Sequence, residues 1–175
     1  MATESAGPVL RLPRAGDGPA ITRLIADCPP LDVNSAYCNL LQCTHFAATS
    51  VVAEQDRKLA GWISGYRPPA APEEFFIWQV AVHADARGTG LGGKMLDALI
   101  ARPSAAGITT LTTTITESNA ASWALFGSFA RRHGASLTRR PYFERDAHFA
   151  GLHETEHLVS IGPIVGGSPS KQEIL

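Results

Sequence analysis

The chain alternates between short apolar runs and clusters of Gly, Pro, Asp and Asn, and the period of the runs changes along its length. Residues 9–12 make a brief apolar run that predicts a first strand. Ile21, Leu24 and Ile25 recur at helical spacing behind Asp17, which suits a helix cap, and Pro29-Pro30 stops that helix. A second helix is expected over 36–46, capped by Asn34 or Ser35. Residues 49–54 and 59–66 are β-rich. Joined by Gln55-Asp56-Arg57-Lys58, they read as a hairpin. Residues 75–82 are apolar at nearly every position, the pattern of a strand buried on both faces. Leu91, Met95, Leu96, Leu99 and Ile100 then form one stripe of a helix over 91–100, ended by Arg102-Pro103. Residues 109–116 are threonine-rich and predict a strand. Asn119 caps a helix over 120–133 that Gly134 closes, and 137–143 and 155–161 supply the last strands.

The order β-α-α-β-β-β-α-β-α-β-β predicts an α/β fold of mixed α+β character. Its centre is a twisted mixed sheet of about seven strands, flanked on both faces by about four helices. Residues 75–116 should form a right-handed parallel crossover. One domain is expected over 8–162. Residues 1–7 and the Gly/Pro/Ser-rich 163–175 are expected to be flexible termini.

Composition narrows the function. With 175 residues, 45% hydrophobic and 18% charged, the chain suits a globular domain rather than a disordered one. A net charge of −1 gives no reason to expect nucleic acid or an anionic membrane. Arg131-Arg132 and Arg139-Arg140 read as solvated faces. No stretch approaches the ~18 apolar residues of a membrane span. The first residues lack the basic and apolar regions of a secretion signal. The three cysteines, Cys28, Cys38 and Cys43, are odd in number and lack metal spacing. Reduced thiols in the cytoplasm are expected, with Cys38 and Cys43 as packing residues. His153 and His157, with His148 nearby, do not converge along a strand and have no cysteine companion, so no metal is expected. Trp62 and Trp123 read as core.

The candidate chemistry lies in Arg87-Gly88-Thr89-Gly90-Leu91-Gly92, between the apolar run and the helix over 91–100. A glycine-rich turn there exposes backbone N–H groups at a positive helix end, which is an anion site. Gly88-x-Gly90-x-x-Gly93 fits a dinucleotide fingerprint, but 109–116 offers only Thr, Leu and Ile where an acid should hold the ribose. Gly88-x-x-x-x-Gly93-Lys94 nearly fits a triphosphate loop. Met95 stands where Ser or Thr must hold magnesium, and a thioether is a poor ligand for a hard cation.

The third pattern, Arg87-x-x-Gly90-x-Gly92 after Val80-Ala81-Val82, resembles the acetyl-CoA loop of the GCN5-related N-acetyltransferase (GNAT) family. Asn119-Ala120-Ala121-Ser122-Trp123-Ala124-Leu125-Phe126 resembles that family's second motif, and the likeness spans nearly the whole chain. It implies that Arg87, Gly88, Thr89, Gly90, Leu91 and Gly92 hold the cofactor pyrophosphate. Val80 and Val82 would pair with the pantetheine arm, Asn119 would border the cofactor, and an amide at or near Val82 would polarise the thioester. Many members carry a tyrosine acid where Phe126 stands here.

Three further groups resemble the branch of the family whose acceptor is L-2,4-diaminobutyrate, on the way to ectoine, an osmoprotectant. They are residues 31–42 and Gly65-Tyr66-Arg67-Pro68-Pro69; Trp78-Gln79-Val80-Ala81-Val82-His83; and His153-Glu154-Thr155-Glu156 with Ile161-Gly162-Pro163. The resemblance implies direct attack of the γ-amine on acetyl-CoA and a cytoplasmic homodimer. The acceptor carries two ammonium groups, so carboxylates are needed. Glu156, with His153 or a water, is assigned as base and Asp32 as partner of the α-amine. The amides of Asn34 to Ala36 would hold the acceptor carboxylate, Trp78 would form an apolar or cation–π wall, and Tyr37 would orient the acceptor or replace the missing acid. Taken without the resemblance, Asp32 is a turn cap, Glu156 a solvated strand residue and Trp78 a core residue. Acetylation of another small diamine or amino acid, or CoA binding without catalysis, are the alternatives.

Overall fold

In the computed structural model, which describes residues 7–166, the β-rich runs become seven strands. They are β1 (Val9–Arg11), β2 (Val51–Gln55), β3 (Lys58–Tyr66), β4 (Glu74–Val82), β5 (Thr110–Thr116), β6 (Ser136–Phe143) and β7 (Glu156–Gly162). They form one mixed sheet of order β1-β2-β3-β4-β5-β7-β6. The helices are α1 (Gly18–Ala26), α2 (Ala36–Thr44), α3 (Leu91–Ile100), α4 (Ala120–Arg132) and α5 (Arg145–Phe149). Helix α5 is the addition to the expected order. Five residues are too few to show a helical period in the sequence. Within the described residues the chain gathers into two compact units, 7–65 with 79–99 and 66–78 with 100–166.

In the first unit β2 and β3 close on the pair Gln55↔Lys58. The two turn residues, Asp56 and Arg57, both have positive φ, 50° and 62°. Two successive left-handed residues give the twist that a two-residue hairpin needs. Ile21, Leu24 and Ile25 of α1 pack in one cluster with Cys28, Cys43, Val52, Trp62 and Ala81. Each such aliphatic side chain contributes roughly 1.5–3 kcal/mol by leaving water. All five stripe residues of α3 are buried. Gly61 admits this helix: a Cβ there would stand 2.7 Å from Met95 Cε.

Asp17 precedes α1 but its side chain does not cap it. Both carboxylate oxygens instead accept from Arg11, at 2.8 Å each, and Oδ2 also accepts from the Arg14 N–H at 2.7 Å. A two-pronged charge-assisted contact outcompetes a single neutral cap. Arg11 also reaches Glu54 at 2.8 Å, which ties β1 to β2.

In the second unit β7 is flanked antiparallel by β5, from Leu111↔Ile161 to Thr116↔Glu156, and by β6. Asn119 caps α4, its Oδ1 accepting from the Ser122 N–H at 3.1 Å. Phe126, Phe129 and Ala130 form the buried side of α4. Trp62 is fully buried, as expected, but Trp123 is only half-buried. The indole N–H of Trp123 donates to Thr116 O, and Arg139 covers its ring at 5.1 Å. Packing continues past residue 162: Ile164 is 4% exposed and its N–H donates to Thr109 O at 2.8 Å. The remainder of the expected flexible termini, 1–6 and 167–175, lies outside the described residues.

Strand β4 corrects the sequence reading most. It is not buried on both faces. Phe75, Ile77, Gln79 and Ala81 are buried, while Phe76, Trp78, Val80 and Val82 alternate with them on a more open face, with Trp78 44% exposed. Its parallel ladder with β5 runs from Glu74↔Thr110 to Ile77↔Thr113.

The Arg11 contact holds the Asp17 carboxyl below the usual carboxylate range. A depressed folded value means that the stabilisation is present above the unfolded value, about 3.9, and is lost as pH falls through the lower folded one. Asp17→Asn is therefore expected to lower Tm at pH 7 and to flatten the fall of Tm below about pH 4, as read by thermal melts across pH.

Candidate active site

The loop from β4 to α3 is built to leave helix N–H groups open. After a single 3-10 turn at Ala84–Ala86, Gly88 and Gly90 take φ of 75° and 78°. The first helical bond then runs from the Lys94 N–H to Gly90 O at 3.1 Å. The N–H groups of Leu91 and Gly92 come before it, so they have no carbonyl within the helix to meet. They point out of the positive end of the α3 dipole, where an anion is favoured. The loop is braced from beneath. Thr89 Oγ1 donates to Ala86 O at 2.7 Å, and Arg87 Nε donates to Val82 O at 3.1 Å. Another Arg87 nitrogen lies 3.5 Å from Cys28 Sγ, and that thiol lies 3.4 Å from Val82 O. Arg87 thus anchors the loop to the end of β4, in addition to its charge.

The segment before α2 carries a second constellation. Asp32 is exposed, and its main-chain carbonyl accepts from Gln79 Nε2 at 2.8 Å. Asn34 Nδ2 donates to Gln79 Oε1 at 2.7 Å and to Asn39 Oδ1 at 3.2 Å. Asn39 in turn donates to Thr22 Oγ1 at 2.8 Å, and Thr22 donates to Gly18 O at 2.9 Å. The donors of Asn34 are therefore engaged in holding the segment. Ser35, not Asn34, caps α2, its Oγ accepting from the Cys38 N–H at 3.1 Å. Tyr37 stands on the first turn of α2 and is 71% exposed.

Trp78 is not a core residue. Its ring meets Tyr66 edge-on at 6.3 Å, and Tyr66 meets Phe76 at 5.2 Å. Burial pushes the Tyr66 hydroxyl up from its ordinary value. Val80 and Val82 lie on the same strand face as Trp78, and the Val82 carbonyl is the one taken by Arg87.

In the second unit Glu156 opens β7 opposite Thr116 and Phe143, with its Oε2 shielded from solvent. His153 has Nδ1 2.8 Å from Glu154 O and its ring against Phe149 at 4.7 Å. A ring nitrogen facing a carbonyl acts as the donor, so Nδ1 carries a proton in this contact. Asn119 uses its Oδ1 as the α4 cap. Phe126 is 2% exposed, a core residue of α4. Among the described residues no three His, Cys, Asp or Glu side chains gather as a metal site. No helix among them is long and apolar enough to cross a membrane.

Sequence reasoning missed Gln79, Asn39 and Tyr66. Gln79 had a visible signal, since it is the single polar residue in the run 75–82. Asn39 and Tyr66 had none: a polar residue on a short helix and an aromatic at a strand end are ordinary in any sequence.

A glycine-braced helix N-terminus beside a half-open strand is a place suited to an anion such as a phosphate. The chain belongs to the acetyltransferase (GNAT) family, which matches it over residues 19–130. It is 48% identical to the L-2,4-diaminobutyric acid acetyltransferase of Methylotuvimicrobium alcaliphilum, over 91% of this chain and 94% of that protein. Identity to the Vibrio cholerae enzyme of the same name is 50%, over 87% and 88%. Among solved structures it is similar to the diaminobutyrate acetyltransferase EctA of Paenibacillus lautus in complex with L-2,4-diaminobutyric acid and coenzyme A. The TM-score is 0.87 and the identity 36%, covering 91% of this chain and 96% of that one.

At Gly90 nothing lies within 4 Å of a built Cβ, so the demand for glycine is the φ of 78° and not crowding. A β-branched residue in the left-handed region costs about 1–2 kcal/mol. Gly90→Val is expected to weaken coenzyme A binding about tenfold, read by titration calorimetry.

Proposed function

We propose that the protein transfers acetyl from acetyl-CoA to the γ-amine of L-2,4-diaminobutyrate, giving N4-acetyl-L-2,4-diaminobutyrate and CoA. The observation that carries this reading is identity of 48–50% to diaminobutyrate acetyltransferases along about nine-tenths of the chain. The site residues support it. The Leu91 and Gly92 amides, with Gly88, Thr89, Gly90 and Arg87 shaping the loop, hold the pyrophosphate at the head of α3. The open edge of β4 at Val80 and Val82 runs beside the pantetheine arm, and Asn119 heads the helix bordering it.

Attack requires a neutral amine. The γ-ammonium has a pKa of ~10, so its deprotonation at pH 7 costs roughly 4 kcal/mol. Glu156, directly or through a water or His153 Nε2, takes that proton. Asp32 binds the α-amine and the N–H groups at the start of α2 hold the carboxylate, while Trp78 walls the methylene chain. The nitrogen lone pair adds to the thioester carbon, and a β4 amide at or near Val82 stabilises the oxyanion. Collapse expels the CoA thiolate, which is protonated by Tyr37 or by water, because Phe126 has no proton to donate. The protein acts as a cytoplasmic homodimer in the formation of ectoine. Its three cysteines are free thiols, as that compartment requires.

Two measurements test the reading. In a panel of diaminobutyrate, ornithine, lysine and putrescine, diaminobutyrate is expected to give the highest kcat/KM, and any other order overturns the acceptor. Glu156→Gln is expected to lower kcat by about a hundredfold or more while the Kd for CoA stays within about twofold. An unchanged kcat removes Glu156 from the mechanism.

A further inference from the structure

Gln79 lies on the buried face of β4 and is 6% exposed. A long amide in an otherwise apolar run is costly unless both of its ends are satisfied. Here both ends meet the same segment: Nε2 donates to Asp32 O, and Oε1 accepts from Asn34 Nδ2. The orientation is forced by chemistry. A flipped amide would set NH2 against NH2 at Asn34 and oxygen against oxygen at Asp32. Behind Asn34 the chain of bonds continues through fully buried Asn39 to Thr22 of α1. The segment bearing Asp32 is thus fixed from both sides, and one side chain of β4 makes the connection. A carboxylate at 79 would repel Asp32 O. An aliphatic residue would forfeit both bonds to the segment.

We propose that Gln79 is a positioning residue for the acceptor, registering the Asp32–Asn34 segment against the strand that carries Trp78 and Val80. This inference rests on the acceptor role given above to Asp32. Because Gln79 acts on the acceptor segment and not on the α3 loop, its removal should fall on one substrate only. Loosening the segment should also blunt the discrimination of chain length between the two amines.

The test is Gln79→Met, Gln79→Glu and Asn34→Ala, alone and combined, with steady-state kinetics and CoA titration. Gln79→Met is expected to raise KM for diaminobutyrate at least tenfold, with the Kd for CoA within twofold. Its kcat/KM ratio of diaminobutyrate to ornithine should fall at least fivefold. Gln79→Glu, which keeps an acceptor for Asn34 but sets a buried carboxylate against Asp32 O, should raise KM for diaminobutyrate at least as much as Gln79→Met, and a milder effect overturns the proposal. The combined Gln79→Met/Asn34→Ala variant should lose no more kcat/KM than the worse single variant, since both cut one connection. Asn34→Ala makes the same cut from the loop side and carries the test if Gln79→Met does not fold. The proposal is overturned if both substrates weaken together, if the acceptor ratio is unchanged, or if the losses add. The acceptor used is whichever the wild type prefers. A wrong functional reading therefore shows in the wild type, and a wrong role for Gln79 shows only in the variants.

Discussion

A helix cannot satisfy its own first N–H groups, and the arrangement of the first unit follows from leaving two of them unsatisfied on purpose. Side-chain caps elsewhere close this gap: Ser35 does so on α2 and Asn119 on α4. Helix α3 has Gly90 where a capping side chain would stand, and left-handed backbone at Gly88 and Gly90 brings the chain round without covering the helix end. The loop is held from below, where Thr89 bonds to Ala86 O and Arg87 and Cys28 both reach Val82 O. The helix itself is held by its fully buried stripe, so the exposed N–H groups stand on a rigid mount.

Strand β4 serves this mount in two directions. Its buried side contributes Ala81 to the cluster with Trp62 and α1. Its other side keeps Trp78, Val80 and Val82 accessible, and its ladder with β5 stops at Ile77. A strand with one face committed to packing holds its other, open face stiffly.

The elements with a clear period were legible in the sequence. The stripe of α3, the hairpin around Asp56-Arg57 and the Asn119 cap all follow from local rules, and each appears in the structure. The burial of β4 was not legible, because Phe76, Trp78, Val80 and Val82 are as apolar as Phe75 and Ile77. Hydrophobicity records a dislike of water but not whether protein or substrate will displace it. Asp17 went astray for a related reason: its cap position is a local signal, whereas its partner Arg11 lies across a strand end. Glycine spacing marked the turn that leads into α3. The residues around the acceptor could be named only through resemblance, since contacts such as Asn34 with Gln79 join positions 45 apart.

The linkage from Thr22 through Asn39 and Asn34 to Gln79 and the Asp32 carbonyl is composed wholly of hydroxyl, amide and main-chain groups. Dissolved ions screen charges and leave neutral dipoles in contact nearly untouched. The Arg11 pairs with Asp17 and Glu54 weaken as electrolyte accumulates, but the geometry of the acceptor segment does not depend on them. A segment fastened in this way keeps its local geometry while the ionic strength around it climbs. Here the parts that would aim the substrate are fastened by the one class of polar contact that such a climb leaves alone.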